Sequence, residues 1–545
     1  MKKILRTFVF CFLCGECFSQ GGTWTWMAGT DSIDAKGVYG IMGVPSPANH
    51  PPVIYEGVEF TDKQGNFWLY GGCNQLIPVQ YADLWKFDPV TYEWTWMKGP
   101  GGGSIECPVY GIKGVSSPNN TPGIRYVGTG STVDTSGNFW LFGGYGCFNA
   151  MNDLWKFDPT ILEWTWVSGD SIPGQPGVFG TYQVPGINNI PPSRAEFSTM
   201  WTDNNNNIWL FGGQELTATS ALNDLWRYNI LTGEWTWMHG SNSTWAQGIY
   251  GTKGVSDPLN TPGGRWSYSH WKDGDGNLWL YAGLSPDSVM GSVFYCFNDL
   301  WKFNLMNNEW TWINGSNQPG DTGSCSGSCI TDSINQPGTR FESRAVWKDQ
   351  NDNFYFYGSV RGALGSFAAK TDLWMYCLNT GQWTLVNGDF YQTLNANYGT
   401  YQVPSPSNFP GSKFGANAWK DADENFWLFG GYYASMWRFT LDTACGVCPV
   451  PNSVHQNNPP KADELLIFPN PANSSFTILF SSAERQTIQL RIYNSLGEQI
   501  YFSKEVIAKG KFEKEINAEN LSSGIYFLQL QMKNGMMSRK VLVER

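Results

Sequence analysis

The chain of 545 residues has a net charge of −11, only 15% charged side chains and 28 tryptophans. With +2 for residues 1–19 and +1 for residues 462–545 set aside, residues 20–461 carry −14, an acidic balance that argues against nucleic acid and anionic lipid surfaces as partners. No apolar run beyond the N-terminus approaches the length of a membrane-spanning helix.

Lys2, Lys3 and Arg6 precede an apolar stretch from Phe8 to about Cys14, and Cys17-Phe18-Ser19 offers a small-residue cleavage point before Gln20. Residues 1–19 therefore read as a signal peptide, too short to span a membrane in the mature chain. From residue 20 to 444 the sequence repeats with a period of about 70 residues. A full unit carries an aromatic run closed by two glycines (Phe139-Trp140-Leu141-Phe142-Gly143-Gly144), an Asp153-Leu154-Trp155 segment and a Trp164-Thr165-Trp166 strand. Later units degrade: Ala282-Gly283, Gly358-Ser359 and Ser435-Met436-Trp437 replace the full forms. Four short alternating runs per unit, separated by turn signals, are the arithmetic of a β-propeller blade. Trp24-Thr25-Trp26 has no unit before it, and the sixth unit has no such strand after it. An all-β, six-bladed ring closed by the N-terminal strand is predicted.

The turns after the first and third strands are short, as in Asp62 to Asn66 and Asp273 to Asn277, whereas the connections at the other end include insertions of about twenty residues. Binding is expected on the long-loop end. The insertions repeat among themselves, opening on Tyr39-Gly40, Tyr110-Gly111, Phe179-Gly180, Tyr250-Gly251 and Tyr398-Gly399. Where they reach the inner strands stand Arg125, Arg194, Arg265, Arg340 and Lys413, with Val53 in unit one. These five are the candidate ligand-binding residues, since forked guanidinium donors suit carboxylate, sulfate or phosphate. The competing reading is that each bonds carbonyls of its own loop and neighbouring blade.

Catalytic chemistry is sparse. None of His50, His239, His270 and His455 shows a metal-ligand spacing, and an acid pair drawn from separate blades leaves no sequence signature. The Asp-rich turns read as side-chain-capped hairpins; counting from Asp273, the twelfth position of a calcium loop is Gly283. No catalytic residue, metal or cofactor is predicted.

These units resemble the kelch-repeat family. Asn138 to Gly144 is similar to its second strand and double glycine, Asp153 to Asp158 with Glu163-Trp164 to its third and fourth strands, and Pro122-Gly123-Ile124-Arg125 to the basic start of its innermost strand. The resemblance spans residues 21 to about 443 and implies a galactose-oxidase-like propeller. Copper-dependent sugar oxidases of that family use histidine ligands and a tyrosine crosslinked to cysteine, a set that cannot be assembled here.

Cys445-Gly446-Val447-Cys448 opens a polar, proline-rich linker over 445–463, and residues 464–545 alternate as a small Ig-like β-sandwich would. Phe468-Pro469-Asn470-Pro471, Ile492 to Gly497, Leu521 to Tyr526 with Gly524, and Arg539-Lys540 resemble the C-terminal sorting domain of the type IX secretion system of Bacteroidetes. That resemblance implies the type IX machinery as a partner, and a cargo released or attached to surface lipopolysaccharide. Removal of the signal leaves nine cysteines, with Cys107–Cys147, Cys325–Cys329 and Cys445–Cys448 as plausible pairs in an oxidising destination. The expected function is binding of a glycan or protein ligand by a secreted or outer-membrane cell-surface protein. A carbohydrate-active enzyme with an acid pair on the long-loop face, and a structural surface component, are the alternatives.

Overall fold

The computed structural model describes residues 21–442, 448 and 465–543, except 34, 78, 104–105, 148, 197, 216–219, 287–293, 364–365, 414, 469–471, 483, 495–497 and 534. Every regular element among them is a β-strand. The chain divides into two compact units between Cys448 and Pro449.

Among the described residues the first unit contains six four-stranded antiparallel sheets. Sheet one takes Val58–Thr61, Phe67–Tyr70, Leu84–Asp88 and Glu93–Lys98 in that order, and sheets two to five repeat it at the next four periods. Sheet six is assembled from both ends of the unit: Ala416–Lys420, Phe426–Gly430 and Tyr433–Leu441 are completed by Gly22–Gly29, with Trp24 opposite Phe439 and Trp26 opposite Trp437. The second strands Phe67–Tyr70, Phe139–Phe142, Phe354–Tyr357 and Phe426–Gly430 are buried at every position, so their continuous aromatic runs are what a strand packed on both faces requires.

Neighbouring sheets are stitched at the paired glycines. Gly72, Gly144, Gly213 and Gly283 each donate a backbone N–H to the carbonyl of Arg125, Arg194, Arg265 and Arg340 in the following sheet, at 2.7–3.0 Å, and Gly431 donates to Ile54 of sheet one at 2.9 Å. At Gly71, where φ is 66°, a Cβ would lie 2.5 Å from the Arg125 carbonyl oxygen. Ile54, rather than the expected Val53, is therefore the unit-one counterpart of the basic residues. A second stitch is made by indoles: Trp201, Trp271, Trp347 and Trp419 donate Nε1–H to the carbonyls of Trp271, Trp347, Trp419 and Phe60, each in the next sheet.

The two tryptophans of each Trp-Thr-Trp strand have different surroundings. Trp94, Trp164, Trp235 and Trp310 are buried in the core, whereas the second indole is half-buried and meets the aromatic residue that opens the insertion. Tyr39–Trp96, Tyr110–Trp166, Phe179–Trp237 and Tyr250–Trp312 pack edge to face at 4.8–5.2 Å. The insertion then folds over its own outermost strand, with Asn49 donating to the carbonyls of Val44 and Trp94 and Asn120 to those of Val115 and Trp164.

In the second unit, a three-stranded sheet (Leu465–Phe468, Ser475–Ser482, Gly510–Asn517) and a four-stranded sheet (Gln499–Ile507, Gln486–Tyr493, Gly524–Met532, Gly535–Val543) share one apolar core that includes Phe476, Ile478, Leu490 and Leu528.

Cys107 is disulfide-bonded to Cys147. The other two expected pairs are corrected. Cys448 joins Cys377, 71 residues earlier, so it is not paired with Cys445, which lies outside the described residues. Cys325 is a free thiol while Cys329 is disulfide-bonded, so these two are not joined to each other.

Candidate functional site

The five predicted basic residues are structural hubs. Arg125, Arg194, Arg265 and Arg340 have no exposed surface and pair with Asp153, Asp224, Asp299 and Asp372, the aspartates of the Asp-Leu-Trp segments. Arg194 and Arg265 each hold their partner with two nitrogens at 2.6–2.9 Å. The same aspartates accept the indole N–H two residues on, at 2.7–2.8 Å, and Asp153 and Asp299 also accept from Tyr110 and Tyr250. Arginine, aspartate, tryptophan and the insertion's tyrosine thus form one buried hydrogen-bonded group, which is how a buried charge becomes tolerable. The expectation that they hold an anionic ligand is corrected accordingly. At the ends of the series the hub thins: Ile54 leaves Asp83 to Tyr39 and the N–H groups of Gly101 and Gly102, and Lys413 meets Ser435, its ammonium pushed down to about 7 by burial.

The Asp-rich turns use their carboxylates internally. Asp62, Asp134, Asp203, Asp273 and Asp421 each accept backbone and side-chain N–H groups of the asparagine four residues on and the indole six residues on. Among the described residues no group of three or more His, Cys, Asp or Glu is arranged to hold a metal ion.

Chemistry with fewer internal partners lies where the first strands of the sheets converge. At one register level Glu59, Ser131, Met200, His270, Val346 and Ala418, one from each sheet, line a shared cavity of about 230 Å³ together with Arg344. Arg344 bonds Glu59 at 3.0 Å, and Asn417 donates to the same carboxylate. Burial raises the Glu59 carboxyl against the lowering effect of Arg344. Burial, reinforced by Arg344, pushes the His270 imidazole down to about 3, so it is neutral. The Thr129 and Thr199 hydroxyls lining this cavity have no protein partner, the condition under which a polar cavity holds water.

Two residues beyond each hub position the backbone turns left-handed: Glu56 (φ 48°), Val127 (51°), Glu196 (52°), Ser267 (55°), Glu342 (56°) and Gly415 (63°). Five non-glycine residues in this region, one of them β-branched, are a concentrated departure from the allowed map. The turn sends the N–H of Glu56 to Gly415 and that of Glu196 to Val127, in adjacent sheets. A side chain at Gly415 would meet the Tyr55 ring at 2.1 Å, so this glycine makes room for Tyr55.

Three carboxyls gather there, from sheets one, three and five. Tyr55 donates to Glu342 at 2.9 Å, and the Ser267 hydroxyl donates to the same carboxyl at 3.2 Å. Glu56 is 1% exposed and neither of its oxygens meets a donor from another kind of residue. It faces the carboxyl of Glu342, and burial first, then that neighbour, hold its proton well above the ordinary carboxylate range. The contact is a hydrogen bond once one of the two is protonated. Burial and Glu342 also push Glu196 up to about 8. Tyr126, Val127, Phe341 and Tyr432, which neighbour these positions in the sequence or across the sheets, are partly exposed. Tyr126 lies beside Tyr145 at 5.2 Å, and Tyr432 feels the Glu342 charge.

Sequence reasoning singled out none of these glutamates. Their signal is the spacing Ile54-Tyr55-Glu56, Arg194-Ala195-Glu196 and Arg340-Phe341-Glu342. Of the sorting-motif residues, Pro469, Asn470, Pro471 and Gly497 lie outside the described residues, as does His455. Gly524 begins a strand in which the buried Tyr526 donates to the Ser522 carbonyl, and Lys540 pairs with Phe527 on the neighbouring strand. His239 is kept neutral by burial and accepts the Gly240 N–H.

Residues 466–544 match the secretion system C-terminal sorting domain family. This domain works with the type IX secretion machinery and directs the chain to the cell surface or the medium, and no helix of the described residues is long and apolar enough to cross a membrane. No curated protein matches the chain. Among solved structures it is similar to a fungal alcohol oxidase of the AA5 family in complex with copper, at 12% identity, covering 93% of this chain and 100% of that one, with a TM-score of 0.40. It is also similar to YjhT, at 12% identity over 62% and 85% with a TM-score of 0.37, and to a Trichoderma reesei carbohydrate-active enzyme of family AA12, at 8% over 78% and 98% with 0.34.

Proposed function

We propose that residues 20–444 are a six-bladed kelch-type β-propeller closed by its N-terminal strand. A linker over 445–463 joins it to an Ig-like sorting sandwich at 464–545. The propeller is a secreted or surface-held binding module whose glycan or protein ligand sits at the axial mouth around Glu56, Glu196 and Glu342. The observation that carries this reading is the contrast in hydrogen bonding: the hub arginines and turn aspartates are bonded internally, while Glu56 is buried without a donor beside a partly exposed aromatic rim. The insertions favour it too, because they bond to the outermost strands and leave the axis to the first strands. Surface lipopolysaccharide is one anchor for a cargo of this kind.

A glycan-array screen of the purified chain tests the reading. Selective binding that Glu196→Gln and Tyr126→Ala weaken, while Arg227→Ala on an outer strand does not, is the expected result; binding indifferent to the axial changes would place the ligand elsewhere. A second reading, a carbohydrate-active enzyme, is favoured by one observation: Glu56 and Glu342 are a carboxyl pair of which Glu56 keeps its proton, the division of labour that acid–base chemistry on a glycosidic bond uses. Cleavage of any glycan that binds would establish it.

A further inference from the structure

The axial carboxyls also indicate what charge the ligand carries. Four of the five hub cations are already bonded to aspartates, and Lys413 bonds Ser435. Arg344, the cation that faces Glu56, directs Nη2 to Glu59 at 3.0 Å and to the Gly57 carbonyl at 2.8 Å. The remaining titratable neighbours are Tyr55, Cys73 and Tyr432, none of which can be a cation. The three carboxyls, with Glu59, thus share the single guanidinium of Arg344, and Glu56 presents two buried oxygens that lack a donor.

Resting on the binding reading above, we propose that the axial mouth takes a sugar bearing a protonated primary amine, with the ammonium group seated among Glu56, Glu196 and Glu342. An ammonium offers three donors and no acceptor, which matches a cluster that is rich in acceptors. Charge-assisted bonds of this kind are the strong ones. Among the described residues no group of three or more His, Cys, Asp or Glu is arranged to hold a metal ion, and an ammonium bonds each carboxyl oxygen through its own N–H. Tyr126 and Tyr432 are partly exposed, and aromatic side chains suit both a pyranose ring and a cation. Binding exchanges charge in a balanced way: as the ammonium enters, Glu56 and Glu196 release the protons they hold in the free protein to solvent, and the ammonium takes over their hydrogen bonds.

Isothermal titration of the purified chain with a glucosamine tetramer, its fully N-acetylated counterpart and tetralysine tests this. The glucosamine tetramer should bind roughly tenfold or more tightly than the acetylated one, release protons into the buffer, and bind more tightly at pH 7 than at pH 5. Glu56→Gln, which mimics the protonated acid in shape, should remove that preference, with Glu196→Gln as a second, less buried variant. Equal binding of the two tetramers at the axis would overturn the charge assignment while leaving the glycan reading intact. Binding of tetralysine alone would overturn the sugar, and absence of binding by all three would count against both readings. Displacement of the amine by calcium at low concentration would show a metal site and overturn the proposal.

Discussion

Two regions bury carboxyl groups, and they do so in opposite ways. At the third strands, Asp153, Asp224, Asp299 and Asp372 each meet a guanidinium and an indole N–H, and Asp153 and Asp299 a phenol as well. Near the start of the first strands, Glu56 is as deeply buried but meets another carboxyl. The first arrangement recurs through the middle four units and explains most of the repeated letters. The second departs from the repeat, involves units one, three and five, and is accommodated by protons held on the carboxyls. Burial alone therefore does not mark a structural residue: what separates the two is whether the surrounding donors close the account.

The contrast is sharpest if one hub is opened. Asp299→Ala should cost about 3–5 kcal/mol in chemical unfolding, because Arg265 is left as an uncompensated buried charge; a loss below 1 kcal/mol would break the distinction. Gly71→Ala should cost roughly 1–3 kcal/mol, since the left-handed backbone and the Arg125 carbonyl both resist a Cβ. Lys413→Met should lie within about 1 kcal/mol of the parent and on the stabilising side, because among the described residues this buried ammonium bonds a hydroxyl, that of Ser435, and no carboxylate. With a folded pKa near 7 against an ordinary 10.5, Lys413 burdens the fold below pH 7, and the burden lifts as pH rises from 7 to 10.5. The smallest effect belongs to Glu196→Gln, less than about 1 kcal/mol at pH 5. Glu196 has a folded pKa of about 8 against an ordinary 4.5, so the folded state keeps a proton that the unfolded chain has lost. Stability therefore drains away as pH rises from 4.5 to 8, and the variant should show a flatter profile in that window.

The repeat made the strands legible because Trp-Thr-Trp, the glycine pair and Asp-Leu-Trp each serve a local geometric need, and the need recurs. The hub could have been read from the same letters. Arg and Asp stand together in units two to five, unit one has Ile54 with Asp83, and unit six has Lys413 with Ser435, so the basic and acidic partners thin out at the same seam. The axial glutamates were harder to see, since three residues separated by 140 and 146 positions in sequence become neighbours only when sheets one, three and five meet. The Cys377–Cys448 bond was missed for a related reason: proximity in sequence favoured Cys445, whereas the fold brings the end of the unit back to the fifth sheet.

That same bond, with the strand Gly22–Gly29, decides where mechanical load enters the first unit. A pull on the chain beyond residue 448 reaches a covalent crosslink into strand Leu373–Cys377 before it reaches Tyr433–Leu441. The closing sheet is thereby shielded from being peeled from its C-terminal end, and a protease trimming back past residue 449 meets a crosslink before it meets a strand of the first unit. Reduction of this one crosslink should convert a tug on the tail from shearing the fifth sheet to unzipping the sixth.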